Sequence, residues 1–371
     1  MLTPLAKSLG LETPIFAFAR SREVVVEVSR AGGMGVLGAV AHTPEQLDED
    51  LDWIDAHIGG RPYGVDTVMP MTYAGKGEMP DMDRLKAMIS PAHHQFVQHL
   101  LDTHGVGQLP DDYERKGDDL LGWSIERGMQ HLEVALRHPI KLLANALGTP
   151  PPEAIEQAHA HGVKVAALCG KVKQARAHKA AGVDIIVAQG WEAGGHTGEI
   201  ASMVLCPEVV DAVGDTPVLA AGGIGSGRQM AAALALGAQG VWMGSVWLTT
   251  LEHQNYHAPV VVEKLLEAGS GDTVRSRAIS GKPARQLRTA WTEAWEETDS
   301  PGYLPIPLMW MVQAEAVERI YHHGNKPLAG SPVGQVVGRM NALRSTADVM
   351  AELKDGCAAA TARLEGYLGG A

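Results

Sequence analysis

Three times between Val183 and Leu248 a short apolar run stops at glycine. The runs are Asp184-Ile185-Ile186-Val187-Ala188-Gln189-Gly190, Pro217-Val218-Leu219-Ala220-Ala221-Gly222-Gly223 and Gly240-Val241-Trp242-Met243-Gly244-Ser245. Runs of this length without polar alternation suit strands buried on both faces, as in parallel sheets covered by helices. Glycines at the end of such a strand let backbone N–H groups approach an anion with no Cβ in the way. Between the last two runs, Ser226 is placed to cap a helix carrying Met230, Ala233 and Leu234 on one face. Consecutive glycine-ended strands with a helix between them predict a phosphate site at the C-terminal end of a barrel. Tight strand-to-helix turns without a ligand would use the same glycines.

The rest of the chain extends this unit. Ile15–Ala19, Met34–Gly38, Tyr63–Pro70, Ile140–Ala144 and Val163–Leu168 read as five earlier strands. Helices between them are announced by caps: Ser21 before a helix to Arg30, Thr43-Pro44-Glu45 before one to His57, and Thr149-Pro150 before one to His161. Lys171 to Ala181 is the next helix, ended by Gly182. Eight strands alternating with helices predict an α/β fold, a (β/α)8 TIM barrel with right-handed crossovers. From Met71 to His138 the chain is longer and more polar than one barrel helix requires. It reads as a helical insertion after the third strand, with helices over 91–104 and 120–136, the second carrying Leu121, Ile125, Met129, Leu132 and Leu136 on one face. Such insertions shape active sites, decorate a fold or form interfaces. The barrel is expected to occupy residues 1–258. A closing helix (259–268), a turn-rich segment (280–285), a helix over 310–321 and a helical tail (338–367) make up a C-terminal helical extension, 259–371.

Charge and cysteine content exclude several roles. With 31 Lys+Arg against 43 Asp+Glu the formal net charge is −12, so a nucleic-acid partner is not expected. Cys169, Cys206 and Cys357 form no CxxC pair, which predicts neither a metal site nor a disulfide framework and fits a reducing cytoplasm. The first residues lack a basic lead and a long apolar run, and no stretch approaches the roughly 20 apolar residues that cross a bilayer. The expectation is a cytoplasmic protein without membrane association.

Among 16 histidines, His196 stands apart by context, on a glycine-rich loop just past the sixth strand, where an imidazole can donate a hydrogen bond or move a proton. His93, His94, His99 and His104 read as a solvated helix face, and His322-His323 as surface. Glu192 and Glu199 bracket His196, either to orient its ring or as solvated acids. Asp66 ends the third strand, as a ring partner or a cap. The Gln189 amide, ending the sixth, can donate to and accept from a heterocycle. Cys169 ends the fifth, where a buried inert thiol is the default.

Taken together, Ala188-Gln189-Gly190-x-Glu192-Ala193-Gly194-Gly195-His196, Ala220-Ala221-Gly222-Gly223-Ile224 and Met243-Gly244-Ser245 resemble the nitronate monooxygenases, formerly nitropropane dioxygenases. Ser29-Arg30-Ala31-Gly32-Gly33-Met34-Gly35 and Gly281-Lys282-Pro283-Ala284-Arg285 resemble flanking segments of that family. The likeness covers most of the chain outside 71–138. It implies an FMN-dependent flavoprotein oxidoreductase that oxidises alkyl nitronates with molecular oxygen to carbonyl compounds and nitrite. Its partners would be a small-molecule substrate and O2, with homo-oligomerisation open. His196 stands where the family's catalytic histidine stands. By the same resemblance Gly222, Gly223, Gly244 and Ser245 would hold the FMN phosphate, and Gln189, Gly194, Trp242 and Met243 would contact the flavin. Two positions depart from the family pattern. Ala17-Phe18-Ala19-Arg20 replaces its usual Ala-Pro-Met, and Asp66 stands at its usual asparagine, which leaves open a substrate other than a simple nitronate. An FMN-dependent NAD(P)H reductase of an enoyl thioester or quinone, and a phosphate-binding barrel without redox chemistry, are the alternatives.

Overall fold

The structure, a computed structural model, describes residues 2–74, 82–113 and 123–368. Eight parallel strands close into a barrel: β1 (Ile15–Ala19), β2 (Met34–Gly38), β3 (Tyr63–Val68), β4 (Leu142–Ala146), β5 (Lys164–Cys169), β6 (Ile185–Gln189), β8 (Val218–Ala221) and β9 (Gly240–Met243). The barrel shuts where Phe16 of β1 lies beside Trp242 of β9. Its α/β architecture is the one expected from the apolar runs. A two-residue strand, β7 (Gly195–His196), lies outside the barrel and joins β10 (Thr273–Ser276) and β11 (Ala284–Leu287) in a small antiparallel sheet.

Side-chain alternation along each strand builds two apolar layers. Phe16, Met34, Val36, Leu142, Ile185 and Leu219 point into the barrel and fill it. Ile15, Val65, Leu143, Val165, Ile186 and Val241 point outward and pack under the helices. The helix Pro4–Ser8 plugs the barrel floor: Leu5, Ala6, Leu9 and Leu11 join the interior cluster. Thr3 Oγ1 donates to the Gln239 carbonyl at 2.7 Å, and Gln239 Oε1 accepts from the Leu5 amide at 3.0 Å. With that end filled by the helix, the C-terminal strand ends are the side that opens to a ligand.

The caps act as the sequence suggests. Ser21 accepts from the Val24 amide ahead of the helix Arg22–Arg30. Thr43 and Gln46 form a reciprocal capping box on Pro44–His57. Ser226 caps Gly227–Ala235.

The turns expected at 280–285 are present, with Ala284 and Arg285 entering β11. Three expectations are corrected. First, the helix at the end of the expected insertion spans Ile125–Ala135 and packs on β3 and on Pro44–His57. It is therefore the barrel's own crossover helix after β3, and the excursion ends before it; Leu121 lies outside the described residues. Second, the helix Pro91–Thr103 docks on the helix Leu308–His322, so His93 is buried, its Nδ1 2.8 Å from Ser90 Oγ and its ring 6.4 Å from that of Trp295. It is not part of a solvated face, although His94 and His99 are exposed. Third, the tail is dominated by one helix, Thr346–Leu368, laid against Gly227–Ala235 and Arg22–Arg30. That contact is tight: a Cβ on Gly227 would stand 2.1 Å from the Cys357 amide nitrogen.

Candidate active site

A cavity of about 760 Å³ opens at the C-terminal strand ends, within the range for pockets that take a small molecule. Asp66, Gln189, Gly194, His196, Gly222, Gly223, Trp242, Met243, Gly244 and Ser245 all line it. Residues that span 180 positions of sequence are thus brought to one chamber because parallel strands all end on the same side.

One end is built for an anion. Gly222 and Gly223, following β8, have φ of 103° and 68°, a region closed to most side chains. Among the described residues, no group accepts from the amides of Gly222, Gly223 or Ile224. The positive end of the helix Gly227–Ala235 lies just beyond. Ser245 Oγ accepts from the Gly334 amide at 2.8 Å, which leaves its proton for a ligand. Glu192 does not face this chamber; its carboxylate takes the Ser202 amide at 2.9 Å and lies 2.7 Å from Ser202 Oγ. Ser202 Oγ is also 3.0 Å from the Gly222 carbonyl oxygen, so Glu192 fixes the glycine loop rather than the histidine.

The middle of the chamber carries Asp66, Gln189 and Trp242. Asp66 is 4% exposed, yet no described residue hydrogen-bonds its carboxyl. Burial alone pushes that carboxyl up to about 7, so near neutrality it is often a neutral acid with a proton to donate. Gln189 Nε2 reaches only as far as 3.5 Å from the Gly194 carbonyl, a weak contact that leaves the amide available. Trp242 belongs to the barrel interior, while Met243 packs with the outer layer. Cys169 is buried and its thiol is pushed up to about 12 by burial, the inert state expected of it.

His196 forms the far wall. Its backbone is paired with β11, Ala284 opposite His196 and Arg285 opposite Gly195. Its Nε2 lies 2.6 Å from Ser280 Oγ, and the Trp123 ring meets it edge-on at 5.6 Å. Burial first, then the nearby Lys282 ammonium, push the imidazole down to about 4. Lys282 donates to the Thr72 carbonyl at 3.1 Å and is itself shifted down by burial. Glu199 turns away from the ring toward Arg275, 3.2 Å from its guanidinium. Ser280, Lys282 and Trp123 are site residues that pattern reading did not single out. His253 and His257 were missed as well: they line the cavity beside Arg20, with rings 4.9 Å apart and pKa values lowered to about 4 and about 3 by burial and neighbouring positive charge. The only available signal was their position soon after the phosphate loop.

The FMN that the resemblance implies has a phosphate at one end and a heteroaromatic ring at the other, and the residues present fit both. Unshared glycine amides and the Ser245 hydroxyl suit the phosphate. An unpartnered buried carboxyl and a free carboxamide suit the ring's alternating donors and acceptors. Among the described residues no cluster of acids, histidines or cysteines could hold a metal ion, and no helix is long and apolar enough to cross a membrane.

Comparison with known proteins agrees with this geometry. The family model described as nitronate monooxygenase matches residues 11–356. A Mycobacterium tuberculosis protein provisionally named a monooxygenase is 50% identical over 375 residues, covering 99% of this chain and 100% of its own. A Staphylococcus aureus protein provisionally named nitronate monooxygenase is 28% identical over 315 residues, 81% of this chain and 82% of its own. Among solved structures, nitroalkane oxidase from Streptomyces ansochromogenes superposes with a TM-score of 0.78 at 25% identity, covering 97% of this chain and 99% of that one. FabK from Thermotoga maritima superposes with a TM-score of 0.74 at 25% identity over 99% of both chains. The family match spans the glycine loops, the β7 histidine and the β11 wall alike, and the chain belongs to the nitronate monooxygenase family of oxidoreductases.

Proposed function

We propose that the chain is an FMN-dependent enzyme that oxidises alkyl nitronates with molecular oxygen, giving a carbonyl compound and nitrite. The observation that carries this reading is His196: a neutral imidazole, held by Ser280 and set beside the Lys282 ammonium, in the same chamber as an anion-binding glycine loop. When bound, FMN supplies the redox chemistry, taking electrons from the substrate and passing them to oxygen. Gly222, Gly223, Gly244 and Ser245 would hold its phosphate. Asp66, Gln189, Gly194, Trp242 and Met243 would surround its ring.

The state of His196 favours a particular form of substrate. An imidazole whose conjugate acid titrates at about 4 is a weak base at neutral pH, poorly matched to pulling a proton from carbon. It serves better as a neutral hydrogen-bonding partner for a substrate that arrives already as the anion. Lys282 supplies the attraction such an anion needs, and its ammonium stabilises charge on the nitro oxygens.

The test is the visible spectrum of the purified protein, with FMN added where needed, followed by anaerobic addition of propyl-1-nitronate and, separately, NADH. Bleaching by the nitronate alone is the expected result. Bleaching by NADH alone would replace this reading with a nicotinamide-dependent reductase, and a spectrum without flavin even after FMN addition would remove the cofactor from it.

A further inference from the structure

The cavity does not end at His196. On the helix Leu308–His322 the residues Trp310, Gln313, Val317, Ile320 and Tyr321 line it. Steps of three, four, three and one place them on a single helix face. From Trp310 to Tyr321 a helix rises about 16 Å at 1.5 Å per residue. Gln286, Thr289, Trp291 and Leu328 line the same cavity. The inner end adjoins the reacting centre: Gln313 Nε2 donates to the Ile279 carbonyl, one residue before the Ser280 that holds His196. At the outer end Tyr321 Oη donates to the Gly330 carbonyl at 2.6 Å.

The lining chemistry limits what fits. Of the polar side chains on the helix face, Gln313 donates one amide N–H to the Ile279 carbonyl and Tyr321 its hydroxyl to the Gly330 carbonyl, and none of the five carries a charge. Glu315, Glu318 and Arg319 of the same helix are not among the lining residues; Arg319 is bound instead to the Gly107 and Val106 carbonyls. Lys282, at the His196 end, is the one charged lining residue contributed by the 279–332 segment. A nucleotide tail with its phosphates would meet no cation on this helix face or on Gln286, Thr289, Trp291 and Leu328, whose unpaired donors are the Gln286 Nε2 and Trp291 Nε1 groups. A long, uncharged face with Val317, Ile320 and Leu328 along it suits an extended hydrocarbon.

We propose that this is a channel for the substrate's own tail: an extended, uncharged apolar chain attached to the carbon that bears the reacting group. The inference rests on reading the His196 chamber as the nitronate site. A channel of this length accepts about a dozen methylenes at roughly 1.2 Å per bond of an extended chain. Each one buried adds about fourfold to binding, and that remote contact appears in kcat/KM.

The experiment uses the FMN-loaded protein and two chain-length series. In the first, kcat/KM is measured for the nitronates of straight-chain primary nitroalkanes from nitroethane to 1-nitrodecane. In the second, straight-chain 1-alkanols over the same lengths are titrated by calorimetry, a readout independent of turnover. The expected result is a rise of about fourfold per methylene in both series. In Val317→Trp, and in the milder Val317→Phe, the rise should stop at a shorter chain. A flat response in the wild type overturns the channel, as does a rise that neither variant truncates. If the alkanol series rises and truncates while no nitronate is turned over, the channel stands and the nitronate reading falls.

Discussion

The Asp66 carboxyl gives the sharpest test of the geometry. It is buried at the end of β3 with no described hydrogen-bonding partner, and burial alone raises it from 3.8 to about 7. An acid raised on folding makes the native state bind more protons than the unfolded one between those two values. Stability is therefore lost as pH climbs from about 4 toward about 7, and the full penalty is present above. At 1.36 kcal/mol per pH unit the total is roughly 4 kcal/mol, of which about 2.5 kcal/mol develops between pH 5 and pH 8. Asp66→Asn keeps the shape and removes the titration. In flavin-free protein, urea unfolding of both forms at pH 5 and pH 8 should show the variant gaining about 2.5 kcal/mol on the wild type over that interval. Comparing the two proteins at each pH cancels every other titrating group. A stability difference that stays constant with pH would mean that the carboxyl is ionised and solvated, and would refute the picture of an orphaned acid waiting for a ring. Repeating the measurement with FMN bound should shrink the effect if the ring supplies Asp66 with its partner.

Other perturbations address the remaining parts of the chamber. Gly222→Ala places a Cβ at φ 103°, 3.2 Å from the Ala193 nitrogen and the Gly190 oxygen, so fluorescence titration should show FMN affinity falling about tenfold or more, given strain of roughly 1–3 kcal/mol. His196→Asn should keep FMN bound while nitronate turnover drops at least about tenfold, since losing one positioned hydrogen-bonding group costs up to roughly a hundredfold or more; unchanged steady-state kinetics would remove His196 from the mechanism. Gly227→Ala drives a methyl to 2.1 Å from the Cys357 nitrogen, and a melting curve should show destabilisation of about 1–3 kcal/mol with the flavin spectrum of the surviving folded fraction unaltered.

The parts of this molecule differ in how far they can be read from the chain, and the reason is physical. A strand buried on both faces must be apolar throughout, so β6, β8 and β9 announce themselves, and glycine-ended turns mark the side on which they open. His196 is legible for the same reason, because it follows one of those turns. Its partner Ser280 is not: the two are 84 residues apart in sequence and meet through β7, a strand of only two residues that leaves no periodic trace. The helix Ile125–Ala135 shows a clear apolar face, but a face does not name what it packs on, and the barrel claimed it from the supposed insertion. His93 was lost to the same ambiguity, since only the docking of two distant helices buries it. What emerges is a division of labour. Local pattern, fixed by the barrel, specifies where the phosphate and ring of a cofactor would lie. Long-range packing of 279–332 against the barrel mouth supplies Lys282 and the helix face over 310–321, walls that a substrate would meet, and Ser280, which holds His196. In such an arrangement chemistry and specificity sit on different segments. Substitutions that retune the choice of substrate should therefore fall in the region after β9, where the sequence pattern is weakest, and leave the glycine loops untouched.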